Sequence, residues 1–132
     1  MNPVWLLPLI VNLLHDAQIE EHGGSPGIRD EGLLASALAR PQNMLAYSAP
    51  SIFELAAAYA FGLARNHPYV DGNKRISLVA AGTFLELNGH RLGASKIESV
   101  PFWEGIASGQ HDERAIAVWL EAHCSSAPPL PY

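Results

Sequence analysis

The chain predicts an all-α fold, a compact bundle of about five or six helices, on three observations. Apolar residues recur at three- and four-residue spacing nearly from end to end. Ser51-Ile52-Phe53-Glu54 is a capping box, a serine and a glutamate placed to satisfy each other's exposed amides, and it stands directly ahead of an alanine-rich run. Strict alternation of apolar and polar residues, the mark of a half-buried sheet, lasts only a few positions anywhere.

Each element follows from local chemistry. Pro8 suits the first turn of a helix, Leu9, Val11, Leu13, Leu14 and Ile19 supply its apolar stripe, and Gly23-Gly24 stops it, which leaves residues 1–7 outside. Ser25-Pro26-Gly27-Ile28-Arg29 reads as turn and extended segment, with room for a short β-hairpin around residues 24–29. Asp30 caps a short helix whose Leu33, Leu34, Ala37 and Leu38 share one face before Pro41 ends it, and residues 41–50 read as loop. The capping box opens a helix running to Ala64 or Arg65. A helix from about Asn73 to Leu87 carries Ile76, Val79, Ala80, Thr83, Phe84 and Leu87 on one stripe, and Asn88-Gly89 terminates it. Two more, from about Ile97 to Ala107 and from about Asp112 to His123, are separated at Gly109. The tail from Ser125 to Tyr132, rich in proline and small residues, reads as a frayed end.

Composition narrows the function classes. At 132 residues the sequence reads as a single domain, residues 1–132, with no internal repeat. A chain of that length can bury roughly two thirds of its unfolded surface without metal or disulfide. A net charge of −5 argues against a general nucleic-acid binder, which needs a basic surface to displace counterions from phosphates. The lone Cys124 cannot form an internal bridge. The apolar stretch from Val4 to Val11 is too short to span a bilayer, holds Pro8 and has no basic residue before it, so a soluble cytoplasmic protein is expected, with no membrane partner.

One segment resists a purely structural reading. In Asn66-His67-Pro68-Tyr69-Val70-Asp71-Gly72-Asn73-Lys74-Arg75 the Asp-Gly pair reads as a turn, so Lys74 and Arg75 fall in the first turn of the following helix. That end already carries positive partial charge, and cations there are unfavourable. If an anion binds the amides around Gly72, Asn73 and Lys74, then backbone donors, helix dipole and cations converge on one phosphate site. Gly72 lets a ligand approach the backbone closely, and Asp71 could either cap the helix or hold a magnesium ion. Histidine, here His67, is the only side-chain type in the stretch able to accept a proton from a hydroxyl near neutral pH. Base, metal ligand and anion cradle together make a phosphate-ester transfer site. The bland alternative is a loop with Tyr69 buried and His67 merely exposed. The remaining histidines, His15, His22, His90, His111 and His123, share no spacing and read as surface or helix-face residues.

His67 to Arg75 resembles the HxFx(D/E)(G/A)N(G/K)R signature of the Fic/Doc family, and Lys74 after the asparagine resembles its death-on-curing (Doc) toxin branch. The similarity extends to LLHDAQIEEHGGSPGIRDEGLLASALARPQ and to Arg65, two residues before the histidine, and covers roughly residues 8 to 123. The resemblance implies a helical enzyme that transfers part of ATP, with Mg2+, onto a protein hydroxyl. Most Fic proteins move AMP; Doc toxins move a phosphate onto elongation factor Tu and halt translation. Carried over by position, His67 is the general base, Asp71 the magnesium ligand, and Gly72, Asn73, Lys74 and Arg75 the phosphate site, with Arg65 a further member. The segment near residues 24–29 corresponds to the family's flap, which aligns the target by strand-like pairing.

There are departures from the pattern. Tyr69 replaces the usual phenylalanine, Leu78 stands where many AMP-transferring relatives have a second arginine, and Gly72 is the more Fic-like choice. Lys74 and Leu78 both weigh against AMP transfer. The family's inhibitory [ST]xxxE[GN] helix is absent, since Ser99 precedes Glu104-Gly105 by one residue too many. A separate small antitoxin with a disordered segment is therefore the implied partner. Besides the kinase toxin, two readings stay open: a Fic-type AMP transferase, and an idle helical module that only binds a nucleotide or phosphate.

Overall fold

The computed structural model describes the backbone of residues 1–132 and every side chain other than that of Lys96. In chain order the helices are α1 (Pro8–His22), α2 (Glu31–Tyr47), α3 (Ile52–Asn66), α4 (Asn73–Leu87), α5 (Lys96–Ala107) and α6 (Glu113–Ala122). Strands β1 (His90–Leu92) and β2 (Cys124–Ser126) pair antiparallel, with Arg91 opposite Ser125. The fold is all-helical, as the sequence predicts, with one small two-stranded sheet at a place where the sequence predicts none.

The middle of the bundle is α3, which packs against α2, α4 and α6. Its alanine-rich run explains the position. Ala56, Ala57, Ala58 and Ala60 are fully buried and let the neighbouring helices approach on every side. At the α2 crossing, a side chain at Gly62 would meet the Ala37 backbone at 3.2 Å, tight enough that the two helices would have to part by a few tenths of an ångström. Leu55, Tyr59, Leu63, Ile76, Phe84, Ile106, Ile116 and Leu120 fill the remaining core, each worth about 1.5–3 kcal/mol where a large side chain leaves water completely. The Tyr59 hydroxyl accepts from the Leu6 amide at 3.1 Å. Burial pushes that phenol up to about 12.

Three expectations are corrected. Pro41 does not end α2: the helix continues through it to Tyr47, because Pro41 is itself buried and Met44 and Leu45 beyond it pack on the core. That packing outweighs one missing amide donor, a case of tertiary contacts overriding local propensity. The segment 24–29 closes no hairpin on itself. It lies against the loop after α3, with an isolated bridge between Ile28 and Tyr69 and a bond from the Val70 amide to Gly27 O of 3.0 Å. The tail is not frayed at its start. Three prolines remove donors, but the Ala127 amide reaches Gly89 O and the Leu130 amide reaches Glu86 O, each at 3.0 Å, beyond the β1–β2 pairing.

Residues 1–7 do lie outside the helix. They are tied down by Asn88, whose Oδ1 accepts from the Val4 amide at 2.8 Å and whose Nδ2 donates to Val4 O at 3.0 Å. No helix among the described residues is long and apolar enough to cross a membrane.

Candidate active site

Between the end of α3 and the start of α4 lies an open cavity of about 360 Å³ lined by His67, Val70, Asp71, Gly72, Asn73, Lys74 and Arg75. Larger depressions exist, and two of them set a histidine near a helix start, His15 near that of α2 and His123 near that of α6, but those starts are closed by the side chains of Asp30 and Asp112. Six of the seven sequence-predicted residues therefore share one cavity. Arg65 does not. Its guanidinium lies over the Phe61 ring at 5.7 Å and packs beside Gly109, toward the α5–α6 turn.

The loop is built from its ends inward. His67 caps the C-terminus of α3 in the left-handed region, φ 49° and ψ 53°, and is the only non-glycine with positive φ among the described residues. For an L-residue that costs about 1–2 kcal/mol, so the surroundings must hold it. Gly72 begins α4 at φ 76°, where glycine has no such cost. Asn73, buried, clamps the turn: its Oδ1 accepts from the Tyr69 amide and its Nδ2 donates to Tyr69 O, both at 3.0 Å. Those two bonds fix which end of the amide is which. The NH2 group therefore also faces His67 Nδ1, at 3.3 Å. An amide NH2 can only donate, so Nδ1 is the acceptor and the neutral ring carries its proton on Nε2.

Two buried aromatic residues support the loop from beneath. The Tyr69 ring stacks on His15 with centroids 3.7 Å apart, and its hydroxyl donates to Asn12 Oδ1 at 2.6 Å, so the polar tip of this phenylalanine replacement has its partner. Burial pushes that phenol well above its ordinary range, so it stays a donor. His15 Nε2 donates to Asp71 O at 2.7 Å, the only role possible against a carbonyl.

Asp71 is exposed. Its Oδ1 accepts from the Gly72 amide at 2.8 Å and its Oδ2 from the Ser25 amide at 3.2 Å. Those two donors, Ser25 first, hold the carboxyl below its ordinary 3.8, with smaller help from Arg75 and His15. One carboxylate thus joins the α4 start to the 24–29 segment and stays ionised. A side chain at Gly24 would collide with it at 2.7 Å.

Beyond Gly72 no side chain caps α4, and among the described residues no protein acceptor meets the amides of Asn73, Lys74 and Arg75. Both cations are engaged elsewhere. Lys74 Nζ pairs with Glu104 of α5 at 2.8 Å, and Arg75 Nη2 donates to Gly23 O at 3.2 Å. Trp103 brings α5 here, its indole donating to Ser77 Oγ at 2.7 Å. Sequence reasoning missed Glu104 and His15 as parts of this region, and within the 24–29 segment, which the resemblance assigns to the flap, it singled out neither Ser25 nor Arg29, because all four lie far from the motif along the chain.

A family model described as the Fic/DOC family matches residues 5–85. Over 115 residues the chain is 36% identical to Protein kinase doc of Escherichia phage P1, covering 86% of this chain and 90% of that protein. Over 76 residues it is 50% identical to Toxin Doc of Mycolicibacterium smegmatis. The latter match covers 54% of this chain and spans little more than half, 57%, of that relative.

Proposed function

The chain belongs to the Fic/DOC family, in its Doc branch, and we propose on that basis that it is the toxin of a toxin–antitoxin pair, a transferase that moves the γ-phosphate of ATP onto a hydroxyl of a translation protein such as elongation factor Tu. The observation that carries the proposal is the meeting, in one cavity, of His67 with a helix start whose amides lack protein acceptors.

His67 takes the proton of the attacking hydroxyl on a ring nitrogen; for Nδ1 to be that nitrogen the 3.3 Å contact with Asn73 must first open, because an amide NH2 cannot accept from the protonated ring. The oxygen then bonds to the γ-phosphorus as the bond to the departing ADP oxygen breaks. The amides of Asn73 to Arg75, the helix dipole and the two cations stabilise charge on the phosphates. Lys74 must exchange Glu104 for a phosphate oxygen. That costs little, since an exposed ion pair is worth about 0–1 kcal/mol.

Asp71 is the one carboxylate on the cavity wall, and this suits Mg2+, which is commonly held by one or two carboxylates plus the phosphates of its nucleotide. When held at Asp71, the ion would supply positive charge to offset the charge developing on the transferring phosphate. No group of three or more His, Cys, Asp or Glu side chains among the described residues could hold a metal by itself, so the donor set fits an ion that arrives with ATP.

Lys74 and Leu78 favour γ- over α-transfer. An extended cation after Asn73 crowds the cradle that AMP transfer would need for the two outer phosphates, and Leu78 packs against the core in place of a second arginine. The partner implied is a small antitoxin with a disordered segment, and both ATP and target belong to the cytoplasm. Incubating the protein and Mg2+ with bacterial extract and either γ- or α-labelled ATP should label a protein from the γ position only. Label from the α position would replace the kinase reading with AMP transfer, and label from neither would leave a binding module.

A further inference from the structure

We propose that Arg29 is a positioning residue of the transfer site: it holds the left-handed backbone at His67 and so aims the imidazole at the start of α4. The inference rests on the reading of His67 as the base.

Arg29 clasps three successive carbonyls. Its Nε donates to His67 O at 2.7 Å and its Nη2 to Asn66 O at 3.0 Å, while its own amide donates to Pro68 O at 2.7 Å. The first two acceptors belong to the C-terminal end of α3, where carbonyls have no partner within the helix and the dipole favours a cation. The forked, planar guanidinium can serve both at once, whereas a lysine delivers a point charge.

The conformation at stake is an improbable one. His67 sits at φ 49°, and a β or right-handed backbone there would swing the imidazole away from Asn73 and the α4 amides. Asn73 fixes the far side of the loop through Tyr69, and the Asn66 side chain anchors the near side by donating to Leu33 O at 3.0 Å. Between those anchors, Arg29 is the side chain that grips the backbone of His67 itself. Its neighbours continue the contact, since the Asp30 amide also reaches Pro68 O at 3.0 Å and Ile28 bridges Tyr69. Arg29 therefore makes the segment ahead of α2 and the histidine one body, and whatever docks along residues 24–29 is registered against the base.

Arg29 touches neither the α4 amides nor Asp71, which separates positioning from binding. In Arg29→Met, phosphate transfer should fall about 10- to 100-fold in kcat, because sub-ångström to ångström misplacement of a catalytic group costs that much. ATP affinity by calorimetry should stay within about twofold, a KM-against-kcat split that general loss of structure would not give. The imidazole 15N signals of His67 should shift from the single-tautomer pattern toward an averaged one, and Arg29→Lys should recover part of both kcat and signal. Unmoved His67 signals with wild-type kcat in both variants would overturn the proposal. So would equal losses of kcat and ATP affinity, or an Arg29→Met chain that no longer folds, since either makes the residue merely structural. If the wild-type protein transfers no phosphate, the kinase reading falls and the imidazole signals alone decide on Arg29.

Discussion

The starts of α3 and α4 are built from opposite materials. At α3, Ser51 Oγ accepts from the Glu54 amide at 3.1 Å and Glu54 Oε1 accepts from the Ser51 amide at 3.0 Å, so a carboxylate sits at the positive end of the dipole and exposed donors are satisfied from within. The starts of α2, α5 and α6 follow the same rule with Asp30, Ser95 and Asp112. At α4 the cap is Gly72, no side chain accepts from the first turn, and Lys74 and Arg75 stand where carboxylates would be favourable. Each such cation costs about 0.3–1 kcal/mol at an exposed site. A helix end that closes on itself contributes to folding, while one whose first amides are left open beside two cations, held only by Glu104 and Gly23 O, gains further from an added anion. Both kinds are present within one molecule, so the comparison can be tested with the same protein as its own control.

The largest expected effect separates chemistry from the open helix end. His67→Ala should lower transfer by about 10²- to 10⁴-fold, or about 3–5 kcal/mol of transition-state stabilisation, with the α4 start intact and ATP still bound. Growth arrest at full strength by that variant would show that toxicity does not depend on this base.

The comparison itself is sharpest as a crossed pair. Arg75→Ala removes a cation from the open end, and it should weaken Mg-ATP binding about tenfold while leaving the melting temperature nearly unchanged or slightly raised. Ser51→Ala removes the cap from the closed end, and it should cost about 1 kcal/mol, or about 4 °C in melting temperature, with ATP affinity unaltered. Calorimetry and thermal melts on both variants read the four outcomes. If Arg75→Ala binds ATP as the parent does, the open end is not the nucleotide site.

What could be read along the chain was whatever is local. The capping box, the glycine stops at Gly23 and Gly89, and the contiguous run from His67 to Arg75 each sit within a few residues, and helix starts and cavity follow from them. The extent of α2 could not be read, because Pro41 ends a helix by local rules and only the burial of Met44 and Leu45 against distant residues carries it on. Arg65 looked like a site member by its spacing of two from His67, yet it lies in the last turn of α3, one turn from Phe61, and its guanidinium sits over that ring while His67 leaves the helix in the left-handed region. Arg29, 38 positions from its acceptor His67, and Glu104, 30 positions from Lys74, belong to no pattern a local reading can detect.

The smallest effect concerns the carboxylate that stands in for a cap without being one. Asp71 bonds the Gly72 amide, outside α4's first turn, and spends its other oxygen on Ser25, so it fastens the 24–29 segment to the open end rather than closing it. Both donors favour the ionised form, and its folded value therefore lies below the 3.8 of an unfolded chain. The sign follows from linkage: above that unfolded value both states are ionised and the contribution is complete. As pH falls, the unfolded chain takes up the proton first and the advantage shrinks, vanishing once pH has passed the lower folded value. Glu98 is also held below its ordinary range, by the Ser95 amide and His123, so acid sensitivity of the whole protein would not isolate Asp71. The difference between the wild type and Asp71→Asn does, because Glu98 and the histidines other than His15, which interacts with the Asp71 charge, cancel in it. Urea melts of the two proteins from neutral pH to below pH 3 should show a small stability gap that is constant above the ordinary aspartate range and closes beneath it. A gap that stays the same at every pH would mean that the Ser25 and Gly72 bonds do not depend on the charge, and Asp71 would then be a neutral hinge rather than an ionised fastening between the segment ahead of α2 and the open end of α4.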